Sequence, residues 1–165
     1  MTKLEVSEQV HDGRTDFDFF IGTWTGHNRR LRERLKGSTS WEEFEGTVVD
    51  RKILDGAGNM DEVTFYRESG PAHCATFRLY DAHSGQWSLY WADGIHGALQ
   101  LPEVGSFKDG RGEFYCQEPF EGRMIISRFI WSEITDISCR WEQAFSEDGG
   151  KTWETNWIAD FTRKE

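Results

Sequence analysis

From Trp24 onward the chain alternates apolar and polar positions in short runs, and each run ends in residues that favour turns. Period-two alternation of this kind predicts half-buried strands. The runs fall at 24–35, 41–54, 60–67, 74–80, 87–91, 104–107, 113–117, 124–131, 138–145 and 155–163. Between them stand Gly56-Ala57-Gly58-Asn59, Asp81-Ala82-His83-Ser84-Gly85, Asp109-Gly110-Arg111-Gly112 and Glu121-Gly122, all with the residue types that supply positive φ or local side-chain hydrogen bonds. Helical signals are confined to 16–21, where Asp16 can cap a single helical or 3-10 turn. About ten strands at hairpin spacing, with no helix to cover them, must stack or close. Closure into an antiparallel up-and-down barrel removes the exposed edges. The expected layout is a flexible N-terminal arm at 1–15 and a single all-β domain at 16–165.

The two ends of that domain carry a matched pair. Phe17-Asp18-Phe19-Phe20-Ile21-Gly22-Thr23-Trp24 opens it and Asp160-Phe161-Thr162-Arg163 closes it. An aromatic turn can plug one end of the barrel, and Arg163 on the last strand can lie over the Trp24 indole, a favourable contact where water is scarce. The 12 Phe and 8 Trp among 165 residues are more ring surface than an exterior needs, so rings fill a core or line a cavity.

Charge narrows the partners. A formal net charge of -10 disfavours nucleic acid, and no run of apolar residues approaches the length of a membrane span. Residues 1–14 lack the apolar stretch of a secretory leader. Cys74, Cys116 and Cys139 are odd in number and match no paired metal spacing, which points to reduced thiols in a cytoplasmic protein. The five histidines (His11, His27, His73, His83 and His96) are scattered, with no H-x-H or H-E-x-x-H spacing, so no metal site is expected. Arg29, Arg30, Arg32, Arg34 and Lys36 form a basic stretch. It reads as a solvated strand face opposite Glu42, Glu43 and Glu45, with an anion site or docking surface as the alternative. No phosphate-binding loop, nucleophile elbow or dinucleotide fingerprint is present.

Ser146-Glu147-Asp148-Gly149-Gly150-Lys151-Thr152-Trp153 fits the Asp-box pattern S-x-D-x-G-x-T-W. As a single copy it reads as a well-formed hairpin tip. Further blocks are Tyr80-Asp81, Gly85-Gln86-Trp87-Ser88-Leu89-Tyr90-Trp91-Ala92-Asp93, Arg128-Phe129-Ile130-Trp131, Trp141-Glu142-Gln143-Ala144-Phe145-Ser146 and Asn156-Trp157. With the Phe17–Trp24 block and Arg163 they resemble a bacterial domain-of-unknown-function family with a lipocalin-like (calycin) β-barrel. The resemblance runs from Asp16 to Arg163 and implies the fold, with Trp24 and Arg163 as its structural closure pair, but no settled activity. Gly22-Thr23-Trp24-Thr25-Gly26 is also faintly similar to the start of haem-binding nitrobindins. Those barrels take a late histidine as axial ligand; here none follows His96, so haem is disfavoured and no cofactor is expected.

Hairpin registers suggest which positions share the inner face. One such assignment groups Ile125, Ser127, Phe129 and Trp131 with Cys139, Trp141, Gln143 and Phe145. It extends to Trp153, Thr155 and Trp157 on one side and to Glu113, Tyr115 and Gln117 on the other. Rings with a few polar groups are how small-molecule pockets are lined. The candidate ligand-binding residues are therefore Tyr115, Gln117, Ser127, Phe129, Trp131, Trp141, Gln143 and Trp157. Glu113, desolvated inside a barrel, would have a raised pKa and act as general acid or base with Tyr115. Three functions follow: a barrel binding a small apolar or aromatic molecule; a cofactor-independent isomerase, cyclase or decarboxylase; or a filled structural barrel. A homodimer through a strand face is compatible with all three. The glycines of 93–102 would permit a lid over the mouth.

Overall fold

The computed structural model describes residues 11–165. It is a closed barrel of ten antiparallel strands: β1 (Gly22–Leu31), β2 (Trp41–Ile53), β3 (Gly58–Arg67), β4 (Gly70–Asp81), β5 (Gln86–Asp93), β6 (Glu103–Lys108), β7 (Arg111–Phe120), β8 (Arg123–Ser132), β9 (Ser138–Ser146) and β10 (Glu154–Arg163). Each strand pairs with the next, and β1 pairs with β10 to close the ring. The chain thus has the closed antiparallel barrel that its turn spacing predicts and that the lipocalin-like resemblance implies. The expected arm lies outside the described residues as far as residue 10. Within it, Gly13–Thr15 form a 3-10 turn docked on the barrel, where the Gly13 amide donates to the Tyr80 hydroxyl at 3.0 Å and the Trp87 Nε1 donates to the Gly13 carbonyl at 3.1 Å.

One end of the barrel is plugged. The 3-10 turn Asp18–Phe20 drives Phe17 and Phe20 into the lumen, both almost fully buried. Phe17 meets Trp87 and Phe107 edge-on at 5.0 and 4.8 Å, and Phe20 stacks on Trp24 at 5.3 Å. Arg163 lies 4.3 Å over the Trp24 ring and donates to the carbonyls of Ile21, Phe19 and Asp136. Gly22 makes room for this: its φ is +126°, and a Cβ there would stand 2.6 Å from Arg163 Nη1. One guanidinium therefore ties the plug, β10 and the β8–β9 connection together.

The opposite end is open. β5 and β6 pair over only three positions, Trp87–Gly105 to Leu89–Glu103, and then diverge toward the mouth around the 94–102 connection. β6 faces β7 with no room for a side chain at Gly105, where a Cβ would run into the Glu113 carbonyl oxygen. The Asp-box hairpin joins β9 and β10 at this open end. There Asp148 accepts from Lys151 N, Thr152 N and Thr152 Oγ1, which holds its carboxyl well below the usual range.

Candidate functional site

Between the plug and the mouth lies a cavity of about 420 Å³. Its walls are aromatic on one side, where Phe129 packs edge-on against Trp141 at 5.0 Å and Trp141 against Trp157 at 5.5 Å. Phe65 continues this wall, 5.4 Å from Trp157, and Trp91 stacks on it at 6.2 Å. Two amides are built into this surface. The Trp157 Nε1 donates to Asn28 Oδ1 at 3.0 Å, and Gln143 Nε2 donates to Asn156 Oδ1 at 2.8 Å.

The structure brings together five of the eight residues nominated as ligand-binding: Phe129, Trp131, Trp141, Gln143 and Trp157 all line the cavity. Ser127 also points inward but is fully buried in the wall. Tyr115 and Gln117 do not belong with them. Both lie on the outer face, with Tyr115 41% exposed and its ring beside Trp153. Glu113 is on the same outer face, where it accepts from Arg111 Nε and the Tyr115 hydroxyl at 2.9 Å each. Those bonds hold its carboxyl below the usual range, the reverse of a desolvated general acid. The physical reason is the turn. Glu121-Gly122 is a two-residue connection in which both residues have positive φ, so Phe120 pairs with Arg123 and odd positions of β8 face even positions of β7. Phe114, Cys116 and Glu118 therefore share the inner face with Phe129, Ser127 and Ile125. A bulge between Thr155 and Trp157 makes a second correction: it turns Asn156 inward, while Trp153 sits outside under Arg128.

The buried carboxyls were not nominated from sequence. Glu103, at the start of β6, is 4% exposed, and burial pushes its carboxyl up to about 8. The Ser127 hydroxyl donates to its Oε1, while Oε2 has no partner among the described residues. Cys116 and Glu118 lie beside it, with ligand atoms of all three within 4.8 Å of one another. Burial also raises the Glu118 carboxyl and pushes the Cys116 thiol up to about 12. A divalent ion would have to displace those protons to bind here. Nearer the plug, Arg78 bonds Asp61 at 2.5 Å and Asn59 at 2.9 Å, lies 3.5 Å from Asp50, and stacks over Phe17 and Phe20. Two carboxylates share this one cation, and burial pushes Asp50 up to about 7 despite Arg78. Asp, Glu and Arg at inward positions of period-two strands were the available sequence signal, but inward and outward are indistinguishable until register is known.

The basic stretch divides between the two faces. Arg32 pairs with Glu68, and Lys36 with Glu121, in solvent. Arg30 and Arg34 instead line the cavity, a departure from the solvated reading, together with Arg67 from β3. The 94–102 connection stands at the rim, where Ile95, His96 and Leu101 edge the cavity.

The sequence matches no protein-family model and no curated protein. Among solved structures it is similar to the S-type phycobiliprotein lyase CPES from Guillardia theta, with a TM-score of 0.59 at 11% identity over 99% of each chain. It is also similar to EF1p2_mFAP2b bound to DFHBI, with a TM-score of 0.49 at 8% identity over 93% of this chain and 100% of that one. The lyase comparison shows a shared barrel fold.

Proposed function

We propose that this barrel binds a small aromatic or largely apolar molecule in its lumen. The observation that carries the reading is the cavity itself, about 420 Å³ walled by aromatic rings with a few fixed amides and with arginines and carboxyls at its margins. That is the size and lining of small-molecule sites in general. A phycobiliprotein lyase built on the same fold is in keeping with such a use. The reading includes a cytoplasmic protein with reduced thiols, in keeping with its three free cysteines, and kinship with the bacterial lipocalin-like family. It takes no cofactor. The histidine at the cavity among the described residues, His96, sits at the rim and bonds Asp93 at 2.7 Å, which does not favour haem.

Native mass spectrometry of freshly purified protein, with a fluorescence titration of N-phenyl-1-naphthylamine, tests the reading. A bound mass lost on denaturation, or saturable probe binding weakened about tenfold or more by Trp141→Ala, is the expected result. A bare mass together with no probe binding would sink it.

A second reading is supported by Glu103. A carboxyl held protonated near neutrality inside an aromatic cavity, with Glu118 beside it, is the arrangement a cofactor-independent acid–base enzyme requires. In that case Glu103 takes the role that the sequence assigned to Glu113. Glu103→Gln would then keep binding and lose turnover of any substrate found.

A further inference from the structure

We propose that the barrel mouth is an oxyanion clamp: Arg30, Arg34 and Arg67 hold a singly charged carboxylate- or sulfonate-type head, while the ligand's aromatic body lies among Phe129, Trp141 and Trp157. The proposal rests on the small-molecule reading of this cavity and adds the charge of its occupant.

Arg30 and Arg34 from the basic stretch and Arg67 from β3 converge on one cavity. Each is positioned by a ring. Arg30 lies 5.3 Å from the Trp157 centroid, Arg34 is 5.1 Å from Phe120 and 5.3 Å from Phe145, and Arg67 is 5.2 Å from Phe44. Stacking of this kind fixes the plane of a guanidinium and leaves its edge free to donate. Arg67 spends its donors on Glu42, at 2.5 Å from Nη2 and 3.2 Å from Nε. Arg30 has no such partner: its Nε is buried and unbonded among the described residues. Burial, aided by the nearby charges of Arg34 and Arg67, brings the Arg30 guanidinium down to about 10, and Arg34 is lowered as well. Burial is the main cause in both, and a buried cation is one that an incoming anion would relieve.

The charge count suggests what that anion is. Glu42 offsets Arg67. Glu118, Glu121 and Glu154 act on Arg34, and Glu103 and Asp93 also line the cavity. Burial holds Glu103 protonated near pH 7, whereas the bonds from the His96 amide and ring and the Ile95 amide keep Asp93 ionised. Arg67 and Arg34 are thus matched by carboxylates, and Arg30 is the cation left with an unbonded Nε, which fits a singly charged head better than a dianion. A planar, two-oxygen face also matches the guanidinium fork.

Two probes share one aromatic skeleton and differ in charge: 8-anilinonaphthalene-1-sulfonate and neutral N-phenyl-1-naphthylamine. Fluorescence titrations of the full chain are expected to give about tenfold or tighter binding of the sulfonate. Replacing Arg30 and Arg34 together by Met should weaken the sulfonate about tenfold or more and leave the neutral probe within about threefold. If the double variant loses its near-UV circular dichroism, Arg30→Gln alone and a titration of the unaltered protein in 0.5 M NaCl serve instead. Salt should weaken the sulfonate and spare the neutral probe. Equal affinities, or parallel losses for both probes, would overturn the clamp while leaving a binding barrel. Failure of the unaltered protein to bind either probe would overturn the binding reading itself.

Discussion

At the scale of single residues, Glu103 is the most informative side chain in the lumen. Its carboxyl is raised by burial, so the native state holds a proton that the unfolded chain gives up near pH 4.5. Between that value and about 8 the native state binds more protons, and stability falls as pH rises through the window. Glu103→Gln keeps an oxygen to accept from Ser127 and removes the titration. Urea unfolding should therefore show little difference between the two proteins at pH 4.5 and a gain of roughly 1–3 kcal/mol for the variant at pH 8.5. A pH-independent difference would mean that Glu103 is not desolvated in the native state. Asp50 adds to the same slope, because burial lifts it to about 7. This is also where sequence reading stopped. It named Glu113 on an expected strand, while Glu103 fell just before the strand expected at 104–107 and was not weighed; the face that Glu113 occupies is a property of pairing.

At the scale of elements, the closing pair was legible because it joins two short, chemically distinctive segments at the ends of the domain. Gly22, Trp24 and Arg163 need no register to be recognised, and the structure stacks them. The strands were legible as well, since turn residues delimit them. β7 was not placed correctly. Asp109-Gly110 and Glu121-Gly122 each close a hairpin in two residues, and allowing one more residue per turn inverts the strand. The bulge at Asn156 left no readable signal either, because a polar residue between Thr155 and Trp157 fits an unbroken strand equally well. The plug offers the test at this scale. Arg163 donates to three carbonyls on two segments, a fork that a lysine cannot reproduce. Arg163→Lys should cost about 2 kcal/mol, or about 4–8 °C of thermal midpoint. Hydrogen exchange should rise first at the Phe20 and Ile21 amides, which bond within the plug. An unchanged midpoint would show that the aromatic plug closes the barrel without the arginine.

Taken whole, the molecule divides its rings between two tasks. Those near the closed end are packed against one another: Trp87 is 1% exposed, touches Phe17 and Tyr80, and bonds the Gly13 carbonyl. Those on the cavity wall, such as Trp141, have rings on one side and open space on the other. A side chain bordering a void forfeits contacts on that side, so its truncation enlarges an existing space rather than opening a new one. Trp87→Ala should therefore cost about 3–5 kcal/mol in urea unfolding. Trp141→Ala should cost less than about 2 kcal/mol while removing most of the affinity for the aromatic probe. This partition separates a ligand-binding barrel from a filled structural one. In a filled barrel the two truncations would cost the same, because both rings would be core. A large cost at Trp141 would mean that the lumen collapses around it in solution, leaving no space for an occupant. A small one, with binding lost, would mean that the open half of the barrel gives up packing energy to keep a site.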